Sequence, residues 1–131
     1  MILADTDVLI DFLVGVQPVK NQIAEYIQAE RLQTTAVTCF ELLSGVGENK
    51  RGHAVRQLLD ALNVLPLDRN AARHAAEVRQ NLERAGQAIG MGDSLIAGIA
   101  LAHILPLFTR NAAHFERVES LELIKMGESI S

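Results

Sequence analysis

Asp5, Asp7, Glu41 and Asp93 are the side chains of this sequence best suited to chemistry. The apolar run Met1-Ile-Leu-Ala4 ends at Asp5-Thr6-Asp7, and the β-rich run 31–37 ends at Thr38-Cys39-Phe40-Glu41. Gly92-Asp93 opens a long apolar stretch, and Leu107-Phe108 leads into Thr109-Arg110-Asn111. None of the four acids has a Lys or Arg beside it in sequence. Carboxylates that converge repel, and at least one stays protonated unless a cation joins them. Hard divalent cations take oxygen ligands, commonly one or two carboxylates plus waters and substrate phosphate. A donor set without Cys or clustered His points away from zinc and toward Mg²⁺, with Mn²⁺ as a substitute. Such a site suits hydrolysis at phosphorus, because the metal lowers the pKa of a bound water and holds the reacting oxygens in line.

Each acid also has a purely local reading. Asp5 can cap a helix beginning near Asp7. Glu41 fits a capping box with Thr38, in the pattern Thr-x-x-Glu. Asp93 can serve a helix dipole from the first turn. Asp11 reads as a solvated helix residue, and spacing leaves Asp7 open. These readings treat the acids one at a time and do not explain why they gather at one edge of a sheet.

The elements that must position them follow from periodicity. Met1–Ala4, 31–37, Asn63–Leu67 and Leu107–Thr109 read as strands, and Leu121–Ile124 as a fifth at an edge. Between them lie helical patterns: Val8–Leu13, closed near Gly15; a second helix with Pro18 at its first position; and one from Thr38 to Gly45 or Gly47. Further patterns run from 48–51 through Leu62, from a cap at Asp68 through Ala85, and from Asp93 to Ile104. The last has little polar surface and should be buried. Strands alternating with helices predict an α/β fold around a mostly parallel sheet of four to five strands. Its working crevice should lie outside the carboxyl ends of the strands.

The 131 residues suit one domain, 1–131, with 49 % hydrophobic and 21 % charged residues. A net charge of −4, aromatics at 4 % and no Trp argue against binding nucleic acid by phosphate neutralisation or base stacking. Bound metal would reverse that sign locally, where a phosphate must sit. The lone Cys39 excludes an internal disulfide and suits a reducing, cytoplasmic setting. The first fifteen residues hold Asp5, Asp7 and Asp11 without Lys or Arg, unlike a secretory leader, and the apolar stretch Leu95–Phe108 is too short to span a bilayer.

Other motifs are absent or weak. No Gly-x-x-x-x-Gly-Lys loop is present, and Gly90-Met-Gly92 follows a helix rather than a strand. His53, His74, His103 and His114 lack metal-ligand spacing and read as structural or surface residues. Cys39 reads as a small buried residue, and Arg69 with Arg73 as a solvated helix face.

Four segments together resemble the PIN-domain ribonucleases, in particular the VapC-type toxins of bacterial toxin–antitoxin pairs. They are Ile-Leu-Ala-Asp5-Thr6-Asp7-Val-Leu-Ile-Asp11, Thr38-Cys-Phe-Glu41-Leu-Leu-Ser-Gly45, Gly92-Asp93-Ser-Leu-Ile96-Ala97 and Phe108-Thr109-Arg110-Asn111-Ala-Ala-His114-Phe115. The resemblance implies a PIN-like α/β/α sandwich and a Mg²⁺-dependent endoribonuclease that cleaves RNA by metal-activated water. It implies that Asp5, Glu41 and Asp93 are the catalytic, metal-binding acids. Asp7 is then an accessory group at the rim, and Thr109 and Asn111 line the site. It further implies a homodimer and a cognate VapB-type antitoxin. The fourth segment departs from the family pattern, with Asn111 and His114 where many members carry a fourth acid.

Two other families share parts of this pattern. Haloacid-dehalogenase-like phosphatases open on a similar Asp5-Thr6-Asp7 segment, but they need a Lys after an internal strand and a second acid after the last motif. Lys20, Lys50 and Lys125 are badly placed, and Ile96 and Ala97 stand where that acid belongs. A phospho-receiver module could use Asp68 as acceptor, yet Arg110 stands where its Lys belongs.

Overall fold

The computed structural model describes residues 1–128. In chain order the elements are β1 (Ile2–Ala4), α1 (Thr6–Val14), α2 (Val19–Gln28), β2 (Leu32–Thr35), α3 (Ala36–Ser44) and α4 (Lys50–Ala61). Then come β3 (Asn63–Leu65), α5 (Arg69–Arg84), α6 (Met91–His103), β4 (Leu107–Phe108), α7 (Ala112–Phe115) and β5 (Leu123–Ile124). The strands form one sheet in the order β3-β2-β1-β4-β5, with every adjacent pair parallel. This is the expected α/β/α sandwich, with five strands.

Alternation along the short strands builds two cores. Ile2, Ala4 and Phe108 point to one face, where Val8, Leu9, Ile23, Leu42 and Leu58 from α1 to α4 cover them. Leu3 and Leu107 point to the other, against Val78 and Leu82 of α5 and Ile96 and Ile99 of α6. A central strand covered on both faces must be apolar throughout, and Ile-Leu-Ala is. On the second face α5 and α6 approach unusually closely. A Cβ at Gly98 would stand 2.6 Å from the Ala71 carbonyl oxygen and from Ala75 Cβ. Glycine is therefore required at that crossing.

Several boundaries differ from the sequence reading. β2 stops at Thr35 and α3 begins at Ala36, because the Thr35 side chain caps α3 by accepting from Thr38 N–H. Thr38 is thus inside the helix, and the Thr38–Glu41 capping box does not form. α1 starts at Thr6 and α6 at Met91, each earlier than expected. Pro18 is the N-cap of α2 rather than its first residue. The single turn α7 has no counterpart in the sequence reading. Asp68 caps α5 as expected, accepting from Ala71 N–H.

Candidate active site

The sheet order reverses direction between β1 and β4, so a crevice opens beyond their carboxyl ends. Asp5 follows β1 at that point and is only 4 % exposed. Its backbone N–H donates to the Phe108 carbonyl at 2.9 Å, which ties the first motif to the fourth. One carboxylate oxygen accepts from Thr6 N–H at 2.8 Å and the other from Thr109 Oγ1 at 2.8 Å. Asp5 therefore caps α1 and faces the crevice with the same carboxylate. Burial, followed by the charge of Asp7, pushes its pKa up to about 7 despite the Thr109 and Thr6 hydrogen bonds, and Asp93 adds to the rise.

Asp7 lies on the first turn of α1, beside Asp5. Its Oδ2 accepts from Arg110 N–H at 3.1 Å, and Thr109 Oγ1 stands 3.5 Å away. Burial raises its pKa against the opposing effect of Arg110 and Val8. Its Oδ1 is buried without a hydrogen-bond partner. One turn on, Asp11 is 4 % exposed and pairs with Arg110 Nη1 at 3.3 Å. It is a buried anchor, not the solvated residue read from the sequence. The reading missed it because its partner lies 99 positions away. Cys39 is partly rather than fully buried.

Glu41 and Asp93 stand on helices around the same crevice. Glu41, exposed on α3, accepts from Thr6 Oγ1 at 2.7 Å. Its Oε2 would lie 3.3 Å from a Cβ at Gly92, which places it against the start of α6. Asp93, in the first turn of α6, contacts His114 Nδ1 through Oδ2 at 3.2 Å. Thr109 is buried, and its hydroxyl accepts from Asn111 N–H at 3.0 Å while donating to Asp5. Asn111 itself is exposed at the entry to α7. Thus Asp5, Asp7 and Thr109 meet directly, Glu41 joins through Thr6, and Asp93 joins through its charge on Asp5. The contributions of Thr6 and His114 were not legible in sequence, since Thr6 offered no acid and His114 no ligand spacing.

Among the described residues, no three His, Cys, Asp or Glu side chains are gathered closely enough to cage an ion. The donors nonetheless fit a hard divalent cation that keeps most of its waters and takes only one or two carboxylates. Asp5 is held toward its protonated form by burial first and then by neighbouring negative charge, and Asp7 Oδ1 is buried without a partner. Both are strains that a cation relieves.

The phospho-receiver reading fits less well. A phospho-receiver has strand order 2-1-3-4-5, not this one. Asp68, its candidate acceptor, is consumed as the cap of α5.

Residues 2–121 match the PIN domain family. Ribonuclease VapC10 of Mycobacterium tuberculosis is 34 % identical over 93 % of this chain and 91 % of its own length. The tRNA(fMet)-specific endonuclease VapC of Shigella flexneri is 31 % identical over 89 % of this chain and 91 % of its own. Among solved structures, VapBC-5 of Mycobacterium tuberculosis, a member of the VapBC toxin–antitoxin systems, superposes with a TM-score of 0.70 at 25 % identity, covering 95 % of this chain and 98 % of that one. Fold, motif order and these relatives agree, and the chain belongs to the PIN-domain family, among its VapC ribonucleases.

Proposed function

We propose that this chain is a Mg²⁺-dependent endoribonuclease, the toxin of a toxin–antitoxin pair, in which Asp5, Glu41 and Asp93 are the catalytic, metal-holding acids. The observation that carries the assignment is Asp5. At the sheet's reversal point its carboxylate is fixed by Thr6 N–H and Thr109 Oγ1, and burial, then Asp7 and last Asp93, push its pKa up to about 7. Perturbation of that kind, at a crevice where Glu41 and Asp93 also stand, makes Asp5 a functional-site candidate. Bound Mg²⁺, or Mn²⁺ in its place, would activate a water and neutralise the scissile phosphate. Thr109 fixes Asp5, and Asn111 fixes Thr109 through its backbone. Asp7 is the accessory rim group and holds the backbone of Arg110. The Arg110 side chain, 46 % exposed, pairs with Asp11 through Nη1 and leaves its remaining N–H donors for an incoming phosphate. With aromatics at 4 %, recognition rests on RNA shape and backbone rather than stacking.

The same reading gives the enzyme a VapB-type antitoxin. A groove of about 610 Å³ runs between α1, α3 and α4, lined by Ile10, Leu13, Val14, Leu42 and Val46, and Glu41 borders it. An apolar antitoxin segment seated there could send a basic side chain to the acids. The reading further takes residues 1–131 as one PIN domain that forms a homodimer and acts in the cytoplasm. Among the described residues no helix is long and apolar enough to cross a membrane.

The test is RNA cleavage by Asp5→Ala and Asp93→Ala, with and without a chelator. The Shigella flexneri relative is a tRNA(fMet)-specific endonuclease, so tRNA is the RNA to assay first. Both variants and the chelated parent should be inactive while remaining folded. Cleavage at the parent rate by either variant, or undiminished cleavage in the chelator, would refute the assignment.

A further inference from the structure

We infer that Thr6, Thr38 and Thr35 form a hydroxyl relay that holds Glu41 ready for a divalent ion, and that Gly92 completes the clamp from the other side. The inference rests on the metal-dependent reading above and concerns positioning residues.

Four contacts define the relay. Thr35 Oγ1 accepts from Thr38 N–H at 3.0 Å and stands 3.2 Å from Thr38 Oγ1. Thr38 Oγ1 is 3.0 Å from Thr6 Oγ1, which is 2.7 Å from Glu41 Oε1. Each hydroxyl has one proton, and a carboxylate can only accept. Thr6 must therefore donate to Glu41, which leaves Thr38 to donate to Thr6 and Thr35 to donate to Thr38. Every contact is satisfied and no proton is used twice. The direction is set by Glu41, and each donation strengthens the next.

Thr6 does a second thing at the same time. Its backbone N–H donates to Asp5 Oδ1 at 2.8 Å, so one residue fixes an oxygen of two candidate metal ligands. Thr35 and Thr38 are fully buried, so the far end of the relay is rigid, while Glu41 is exposed. An exposed glutamate samples several rotamers, and ordering it in advance removes that cost from ion binding. On the opposite side, a Cβ at Gly92 would press on Glu41 Oε2 at 3.3 Å. Glycine there lets the carboxylate lie against the turn that carries Asp93.

The experiment measures Mn²⁺ affinity by electron paramagnetic resonance, together with kcat and KM for tRNA cleavage. Thr6→Val removes the hydroxyl and keeps the shape and the backbone N–H. It should weaken Mn²⁺ binding about tenfold or more, the usual effect of losing a group that orients a ligand, and lower kcat more than KM. Thr6→Ser should restore both, and Gly92→Ala should weaken Mn²⁺ binding in the same direction. In a Glu41→Gln background, Thr6→Val should cause no further loss, because the relay acts through Glu41. Circular dichroism confirms folding, and Thr38→Val substitutes if Thr6→Val fails to fold. If Glu41→Gln weakened Mn²⁺ binding while Thr6→Val did not, or if the two losses added, the relay would be overturned and the metal site would stand. If Glu41→Gln bound Mn²⁺ as tightly as the parent, the metal role of Glu41 would fall, and the relay with it.

Discussion

Replacing Asp5 by Asn should make the metal-free protein more stable, and the gain should depend on pH. The folded-state pKa lies near 7 against an ordinary 3.8, about 3 units at 1.36 kcal/mol each, or about 4 kcal/mol. Below 3.8 the folded and unfolded chains both hold the proton, and this contribution vanishes. Between 3.8 and about 7 the folded chain holds it more tightly, so stability falls as pH rises. Above 7 the folded state carries the full penalty. The expected gain from removing that penalty is therefore about 2–4 kcal/mol. The amide fits the site: Asn can accept from Thr6 N–H and donate to Thr109 Oγ1, freeing that hydroxyl to turn toward Asp7. Urea unfolding in chelator at pH 8 and pH 4 measures the effect. Asn should exceed the parent by about 2–4 kcal/mol at pH 8, roughly 10 °C in Tm for a domain this size, and by much less at pH 4. Mn²⁺ should stabilise the parent and leave Asp5→Asn nearly unchanged. A variant no more stable than the parent at pH 8, or a gain identical at both pH values, would refute the account of Asp5 as a strained carboxylate.

Three further outcomes follow from particular contacts. Gly98→Ala drives a methyl into the Ala71 carbonyl and Ala75 across the α5–α6 crossing, and should cost about 2–3 kcal/mol in chemical denaturation. Ile104 closes α6 in the left-handed region at φ +53° with its side chain 91 % exposed, so Ile104→Gly should add about 1 kcal/mol of stability, read as a higher Tm. Arg110→Met strips the cation from buried Asp11. Solvent screens part of that pair, so the loss should be about 1–2 kcal/mol at pH 7, and Asp11→Asn in the same chain should recover much of it.

The framework was legible because local chemistry agrees with the fold. An apolar tripeptide before Asp5, a cap at Asp68 and a nearly uncharged α6 each specify their element without help from distant residues. Asp5 and Asp7 were legible for the same reason: the end of β1 is marked by a change from apolar to polar, whereas Glu41 and Asp93 stand on helices and stood out as acids without a neighbouring Lys or Arg. What remained hidden depends on neighbours far apart in sequence. Thr35 and Thr38 compete as caps with equal chemistry, and only the length of β2 decides between them. Asp11 has a surface residue's profile until α1 packs and Arg110 arrives from the segment after β4. Thr6 and His114 acquire their importance from Glu41 and Asp93, which local spacing does not connect to them. The α7 turn is four residues long, too short for periodicity to register.

β1 sits at the centre of the sheet with β4 as one neighbour, and Asp5 bonds across 104 positions to Thr109. The cluster therefore cannot assemble progressively along the chain. A polypeptide emerging from the ribosome with residues 1–106 complete carries Asp5, Glu41 and Asp93, yet β1 has an open edge and Asp5 lacks the hydroxyl that holds it. Closing so distant a contact is also the slow kind of folding step. On the proposed site, the hydroxyl that holds Asp5 and the strand that closes the edge of β1 come only with residues 107–109, so synthesis itself delays completion of the cluster.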